Sequence, residues 1–193
     1  MKVYRLLLSM LAAVSLFLAS GALLSVLAQE DDSTELSDEV KQTIHEVRGT
    51  TAQFHDLDNA LEAGYGEFLD CFQHGPDLGM GQHYVNGDLL GDDVLDPLQP
   101  EALVYEPRED GALLLVAFEY IVLDDVWDPE GEGREPPTLF GQVLTLRTNI
   151  PETPPVWALH VWVWTHNPEG LFADYNPLII CPQDQPITEM GME

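Results

Sequence analysis

Basic residues are scarce in this chain: its 193 residues include 7 Lys and Arg against 34 Asp and Glu. Lys2 and Arg5 stand ahead of an apolar run, so Lys41, Arg48, Arg108, Arg134 and Arg147 are the only cations beyond residue 28, and residues 29–193 carry a formal charge of −29. Sequence-independent nucleic-acid binding needs a basic face to displace counterions, and this chain has none to offer. Anionic membrane surfaces would repel it for the same reason. Serine is almost missing too, confined beyond the leader to Ser33 and Ser37 near the mobile start, which excludes a serine hydrolase. No Gly-x-Ser-x-Gly elbow, phosphate-cradling loop or His-Glu-x-x-His is present. Cysteine occurs twice, at Cys71 and Cys181, and neither has a Cys-x-x-Cys or Cys-x-x-His context.

What is there begins with a leader. Leu6 to Leu27 is apolar and ends Val26-Leu27-Ala28, with small or apolar residues at the −3 and −1 positions of a signal-peptidase site. Residues 1–28 therefore read as a signal peptide cleaved after Ala28, giving a secreted or extracytoplasmic protein. The run is also long enough to span a bilayer, so an uncleaved N-terminal anchor is the alternative. An exported chain meets an oxidising compartment, and a structural Cys71–Cys181 disulfide is the expectation, with a reactive thiol or metal thiolate as the alternatives. With 45% apolar residues, the 165 residues after Ala28 can bury a core and do not form a disordered acidic tail.

Residues 29–36 are a flexible acidic lead, and residues 37–193 make a single domain. Ser37 can cap a helix whose first turn holds Asp38 and Glu39. Val40, Ile44, Val47, Thr51, Phe54, Leu57 and Leu61 then recur at helical spacing as a core-packing stripe. Gly49 is the place for a kink or split, and Gly64-Tyr65-Gly66 closes the helix. From Phe72 on, short apolar runs alternate with Gly, Pro and Asp. Strands are expected at Met80 to Val85, Ala102 to Glu106, Ala112 to Leu123, Thr138 to Leu146 and Trp157 to Thr165. Acidic loops cover 87–100 and 124–137, and the tail 167–182 has loop character. The fold class is α+β: an N-terminal amphipathic helix followed by a mainly antiparallel sheet able to curl into a barrel.

Alternation singles out three polar residues. In Leu113 to Leu123, Glu119 shares its face with Leu113, Leu115, Ala117, Ile121 and Leu123, an expensive place for a carboxylate unless it is paired, protonated or bound to a cation. His160 shares a face with Ala158, Trp162, Trp164 and His166. His83 sits on a strand entered through Gly79 and Gly81. Two strand histidines and an inward glutamate are the donor set of a mononuclear site for one divalent metal ion, zinc or a first-row transition metal, with His166 as reserve ligand. Each residue alone is more often a hydrogen-bonded core residue. Asp56 to Asn59 and the aspartate-rich loops suit calcium less well than they suit a solvated surface.

The segments Met80 to Asn86, Leu103 to Pro107, Phe118 to Tyr120, Pro137 to Gly141, Leu159 to Trp164, Asn167 to Phe172, and Asn176-Pro177 to Cys181 resemble an uncharacterised family of exported bacterial single-domain proteins. The resemblance runs from about Phe54 to Pro182. It implies an extracytoplasmic single domain and no assigned reaction. Where relatives often carry His-Tyr-Asp ahead of Leu-His-Val-Trp, this chain has Val156, Trp157 and Ala158, which supply no further ligand.

Two classes of function follow from the residues. One is an exported enzyme or oxygen-handling protein with a mononuclear metal in a barrel-like mouth. The other is a non-catalytic extracytoplasmic module binding a metal or a small ligand of unidentified chemistry, with Trp157, Trp162 and Trp164 as an aromatic wall. A structural envelope module without metal is the third reading. Nothing in the pattern indicates a nucleotide cofactor or specifies an oligomeric state.

Overall fold

A cap starts the first helix. The Ser37 hydroxyl accepts from the Val40 N–H at 3.2 Å, and α1 runs Asp38–Thr51 with two acids in its first turn and Arg48 in its last. These charges complement the helix dipole at both ends. Gly49 does not split α1, which runs unbroken across it. The break comes later, after a 3-10 turn at Ala52–His55, where Asp56 adopts an extended backbone and its carboxylate caps the short α2, Leu57–Glu62. The computed structural model describes residues 36–151, 153–183 and 187–189. The leader and residues 29–35 of the acidic lead lie outside them. Among the described residues, no helix is long and apolar enough to cross a membrane.

The strands are β1 (Tyr65–His74), β2 (Leu78–Asn86), β3 (Ala102–Pro107), β4 (Leu113–Leu123), β5 (Thr138–Leu139), β6 (Gln142–Val143), β7 (Thr145–Arg147), β8 (Val156–Val161) and β9 (Ile187–Glu189), with a one-turn α3, Asp124–Trp127, after β4. The main sheet has the order β7-β8-β4-β3-β2-β1-β9. All its pairings are antiparallel except β1 with β9. It is an α+β fold in which helix precedes a sheet curled into a half-barrel; its edges β7 and β9 are not neighbours, so the curl does not close.

Three departures from simple alternation shape the sheet. Strand β1 begins one residue after Gly64, where the sequence pattern shows only the close of a helix. Its pairing with β2 shifts register three times, which hides its period from the sequence. In β4, Val104 pairs Ala117 while Tyr105 pairs Leu115, so Val116 is an extra residue. That bulge moves Leu113 and Leu115 to the opposite face from Glu119; Ala117 and Ile121 remain with it. The stretch 138–146 is not one strand: Phe140 and Gly141 both take positive φ (53° and 73°) and turn β5 back onto β6. Such a two-residue turn matches the strand twist.

One face of the main sheet packs under the helices. Val47, Phe54 and Ala60 meet Tyr65, Leu103, Tyr105, Phe118 and Tyr120 in the main core. The tyrosines bring polar tips inside, and each is satisfied: Tyr105 donates to the Phe54 carbonyl, Tyr65 to Pro100 and Tyr120 to Pro97, all at 2.7 Å. Arg48 donates to the Val163 carbonyl and lies 5.7 Å from the Trp164 ring centre. The other face carries a smaller cluster of Val104, Val116, Ala117, Trp162 and Ile179. The C-terminal tail crosses here. Asn176 bridges to Gly79, where a side chain would collide with the Ile179 backbone, and Cys71 is disulfide-bonded to Cys181.

Candidate metal centre

Register brings the three polar residues together. Glu119 in β4 lies directly opposite His160 in β8 and, on its other side, opposite Ala102 in β3. His83 in β2 lies opposite Val104 in β3. Two strand spacings, about 9–10 Å, separate the β2 and β4 backbones. Glu119 and His83 meet over β3 because Ala102 and Val104 are small enough to leave the space between them free. Gly81 helps from below: its φ of +100° bends β2, and a Cβ there would stand 2.7 Å from the Tyr105 carbonyl.

All three side chains are buried, with His83 3%, Glu119 8% and His160 1% exposed. His83 Nε2 is 3.3 Å from one Glu119 oxygen, and His160 Nδ1 is 3.4 Å from the other. One donor atom from each residue lies within 4.8 Å of the other two. Both contacts are longer than usual hydrogen bonds of about 2.7–3.2 Å, although the His160 contact still acts as one on the Glu119 carboxyl. The two contacts reach different Glu119 oxygens, so one metal-bound oxygen would belong to only one of them. The outward nitrogens, His83 Nδ1 and His160 Nε2, are buried without hydrogen-bond partners. Trp162 covers His160, stacked at 5.4 Å and 19°. Phe72 stands edge-on to His83 at 5.0 Å.

The electrostatics suit a ligand set. Burial drives the His83 imidazole down to about 4, against the pull of Glu119, so the ring is neutral near pH 7. For Glu119, burial favours the neutral acid, yet the surrounding His160, His83 and Arg147 outweigh it and hold the carboxyl well below its usual range. An anionic carboxylate facing a neutral imidazole presents free lone pairs to a cation. Among the described residues, this is the one group of His, Cys, Asp or Glu side chains so gathered.

His166, the reserve ligand, is not part of it. Strand β8 ends at Val161, so the alternation linking His160 to His166 stops, and His166 is exposed with its carbonyl accepting from Asn176. The tryptophans form no common wall either. Trp162 lies on the site face, whereas Trp157 and Trp164 pack on the helix-side core. The acidic loops use their carboxylates locally. Asp92 accepts from Val94 N–H, Asp96 from Leu98 N–H, and Asp128 from Glu132, Gly133 and Arg134 N–H groups.

Two spaces adjoin the cluster. A cavity of about 370 Å³ has His83 and Glu119 in its wall. A second space of about 20 Å³, near the size of one water, lies between Phe72, Met80, His83, Glu119, Arg147 and Ile150. Arg147 carries no motif, and its only signal in the sequence is its rarity as a cation. The fold and the cluster thus define an open-sheet α+β protein with a buried His–Glu–His group. Comparison with family models, curated proteins and solved structures finds no match for the chain.

Proposed function

We propose that this protein binds one divalent first-row metal ion, zinc foremost, through His83, Glu119 and His160, and does so outside the cytoplasm. The carrying observation is the convergence of three buried donors from β2, β4 and β8, with imidazole–carboxylate separations of 3.3 and 3.4 Å. A carboxylate buried between two buried imidazoles is costly unless its charge is met, and metal–ligand bonds would offset that cost. Three protein ligands leave at least one coordination position for water or another molecule, and the adjoining cavity gives that position access to a ligand. The Cys71–Cys181 disulfide supports an oxidising compartment, as does the leader reading of residues 1–28.

The test is elemental analysis of untagged protein recovered from the exported fraction. About one equivalent of zinc, manganese, iron, cobalt, nickel or copper per chain is expected. His83→Ala and His160→Ala should each lose it while keeping helix content and the disulfide. A wild-type chain that takes up none of these ions, even after incubation with each, removes the metal reading and leaves an extracytoplasmic module without metal.

A further inference from the structure

The cavity above the cluster has a pronounced division of chemistry. Its wall is apolar over most of its extent, from Phe68, Phe72, Val85, Ile121, Leu123 and Ile150 among others. Its polar side chains are His83 and Glu119 of the cluster, together with Glu67 and Thr153. Beside the cluster, in the smaller space that shares Phe72, His83, Glu119 and Ile150 with the cavity, stands Arg147. Arg147 belongs to β7, opposite Val156 of β8, and Val156 also lines the cavity. Its guanidinium pairs with Asp174 and is mostly buried. Arg147, one of five cations after residue 28, thus stands beside the buried cluster with Asp174 and Glu119 as its anionic neighbours, and it adds positive charge at the polar part of the cavity.

Resting on the metal reading above, we propose that the cavity takes a small apolar monocarboxylate, its tail in the apolar chamber and its carboxylate on the metal beside Arg147. The charges support a monoanion. A divalent ion on the three donors would add two positive charges beside Arg147, at the place where the carboxylate would sit. The site should therefore hold a carboxylate more tightly when metal is present. The volume sets the size. At about 30 Å³ for each water-sized group, 370 Å³ holds on the order of ten non-hydrogen atoms, which suits a medium-chain fatty acid or a compact aromatic acid. A sugar acid would bring several hydroxyl groups into a chamber lined mostly by apolar side chains.

The test uses the full exported chain loaded with Co²⁺, whose visible absorption reports its ligands, and titrates it with octanoate, acetate and 1-octanol. Octanoate should perturb the spectrum and bind at least tenfold more tightly than acetate, through its tail, and than octanol, through its head. Stripping the ion should weaken octanoate at least tenfold; by reciprocity, octanoate should tighten metal binding by the same factor. Phe68→Ala changes an exposed lining residue outside the cluster. It should weaken octanoate several-fold and leave acetate unchanged. Equal affinities for octanoate and acetate, or octanoate binding indifferent to the ion, would overturn the monocarboxylate proposal while leaving the metal site standing. A chain that takes up no Co²⁺ or Zn²⁺ fails at the earlier step, and the two failures are told apart by metal content alone.

Discussion

The two faces of the sheet bury polar atoms in opposite ways. Under the helices, Tyr65, Tyr105 and Tyr120 send hydroxyls to backbone carbonyls, tying the 97–100 loop and the α1–α2 junction to the core. On the far face, His83, Glu119 and His160 hold one another at 3.3 and 3.4 Å and leave two ring nitrogens unmatched. Among the described residues the helix face has a comparable orphan in Trp164 Nε1, beneath Arg48 and beside His55. The first arrangement is what a stable core requires. The second weakens a core, and on the metal reading an ion bonded to the three inward donors would offset that weakness. Substitutions on the two faces should therefore separate stability from binding.

The largest effect expected is reduction of Cys71–Cys181. The bridge closes a 110-residue separation, for which chain entropy gives an upper figure of about 4–5 kcal/mol. It fastens the tail that crosses the site face, not the helix-side core. Reduction should lower the melting temperature and weaken metal binding together, with far-UV dichroism still showing a folded sheet below the new midpoint. Loss of stability with unchanged metal affinity would mean that the tail does not support the cluster.

Next comes a paired truncation. Tyr105→Ala removes a fully buried ring from the helix-side core and should cost about 3–5 kcal/mol in denaturant unfolding. Metal content per folded chain should stay the same. His160→Ala, on the other face, should cut metal affinity by about 100-fold or more, while destabilising the metal-stripped protein by less than Tyr105→Ala does. If the histidine variant proves the more damaging in metal-free protein, the three polar residues are core after all, and the contrast between the faces disappears.

Much of that contrast was legible in residue types and little of it in boundaries. The Ser37 cap and the Val40, Ile44, Val47 stripe specify α1 locally, and the runs 102–106 and 112–123 are apolar enough to announce a hairpin. Position within the strands was harder. Leu113 and Leu115 share parity with Glu119 on paper, and only the Val116 bulge puts them on the other side. Bulges are set by pairing partners, so a single strand does not reveal them. The same holds for β1, whose register slips against β2, and for the turn at Phe140-Gly141, where a non-glycine residue accepts positive φ. Glu119 and His160 depend on one uninterrupted stretch of β4–β8 pairing, and there alternation reads correctly. His166 lies past the end of that stretch, and Arg147 reaches the site only through the edge strand. Glu101 gave no signal at all, since a single acid between Pro100 and Ala102 looks like loop surface.

Glu101 supplies the smallest and sharpest prediction. It is 2% exposed, and its carboxyl oxygen accepts from the Ile121 N–H at 3.0 Å. Burial pushes it up to about 8, against two backbone hydrogen bonds and with help from Asp92 and Asp96. The folded protein thus keeps a proton that the unfolded chain releases near its ordinary value of about 4.5. Folding takes up a proton between those two values, so this group's contribution to stability is full below pH of about 4.5 and is lost as pH rises towards 8. Glu101→Gln keeps an acceptor for Ile121 and never ionises. The variant should match wild type near pH 4.5 and become the more stable of the two by on the order of a few kcal/mol by pH 8. Because Glu101 neighbours Ala102, which faces Glu119, metal content at pH 7 should be measured alongside and should not change. A stability difference that is flat across this range, in denaturant melts of both proteins, would show that Glu101 is ionised in the fold, with its charge met by the backbone.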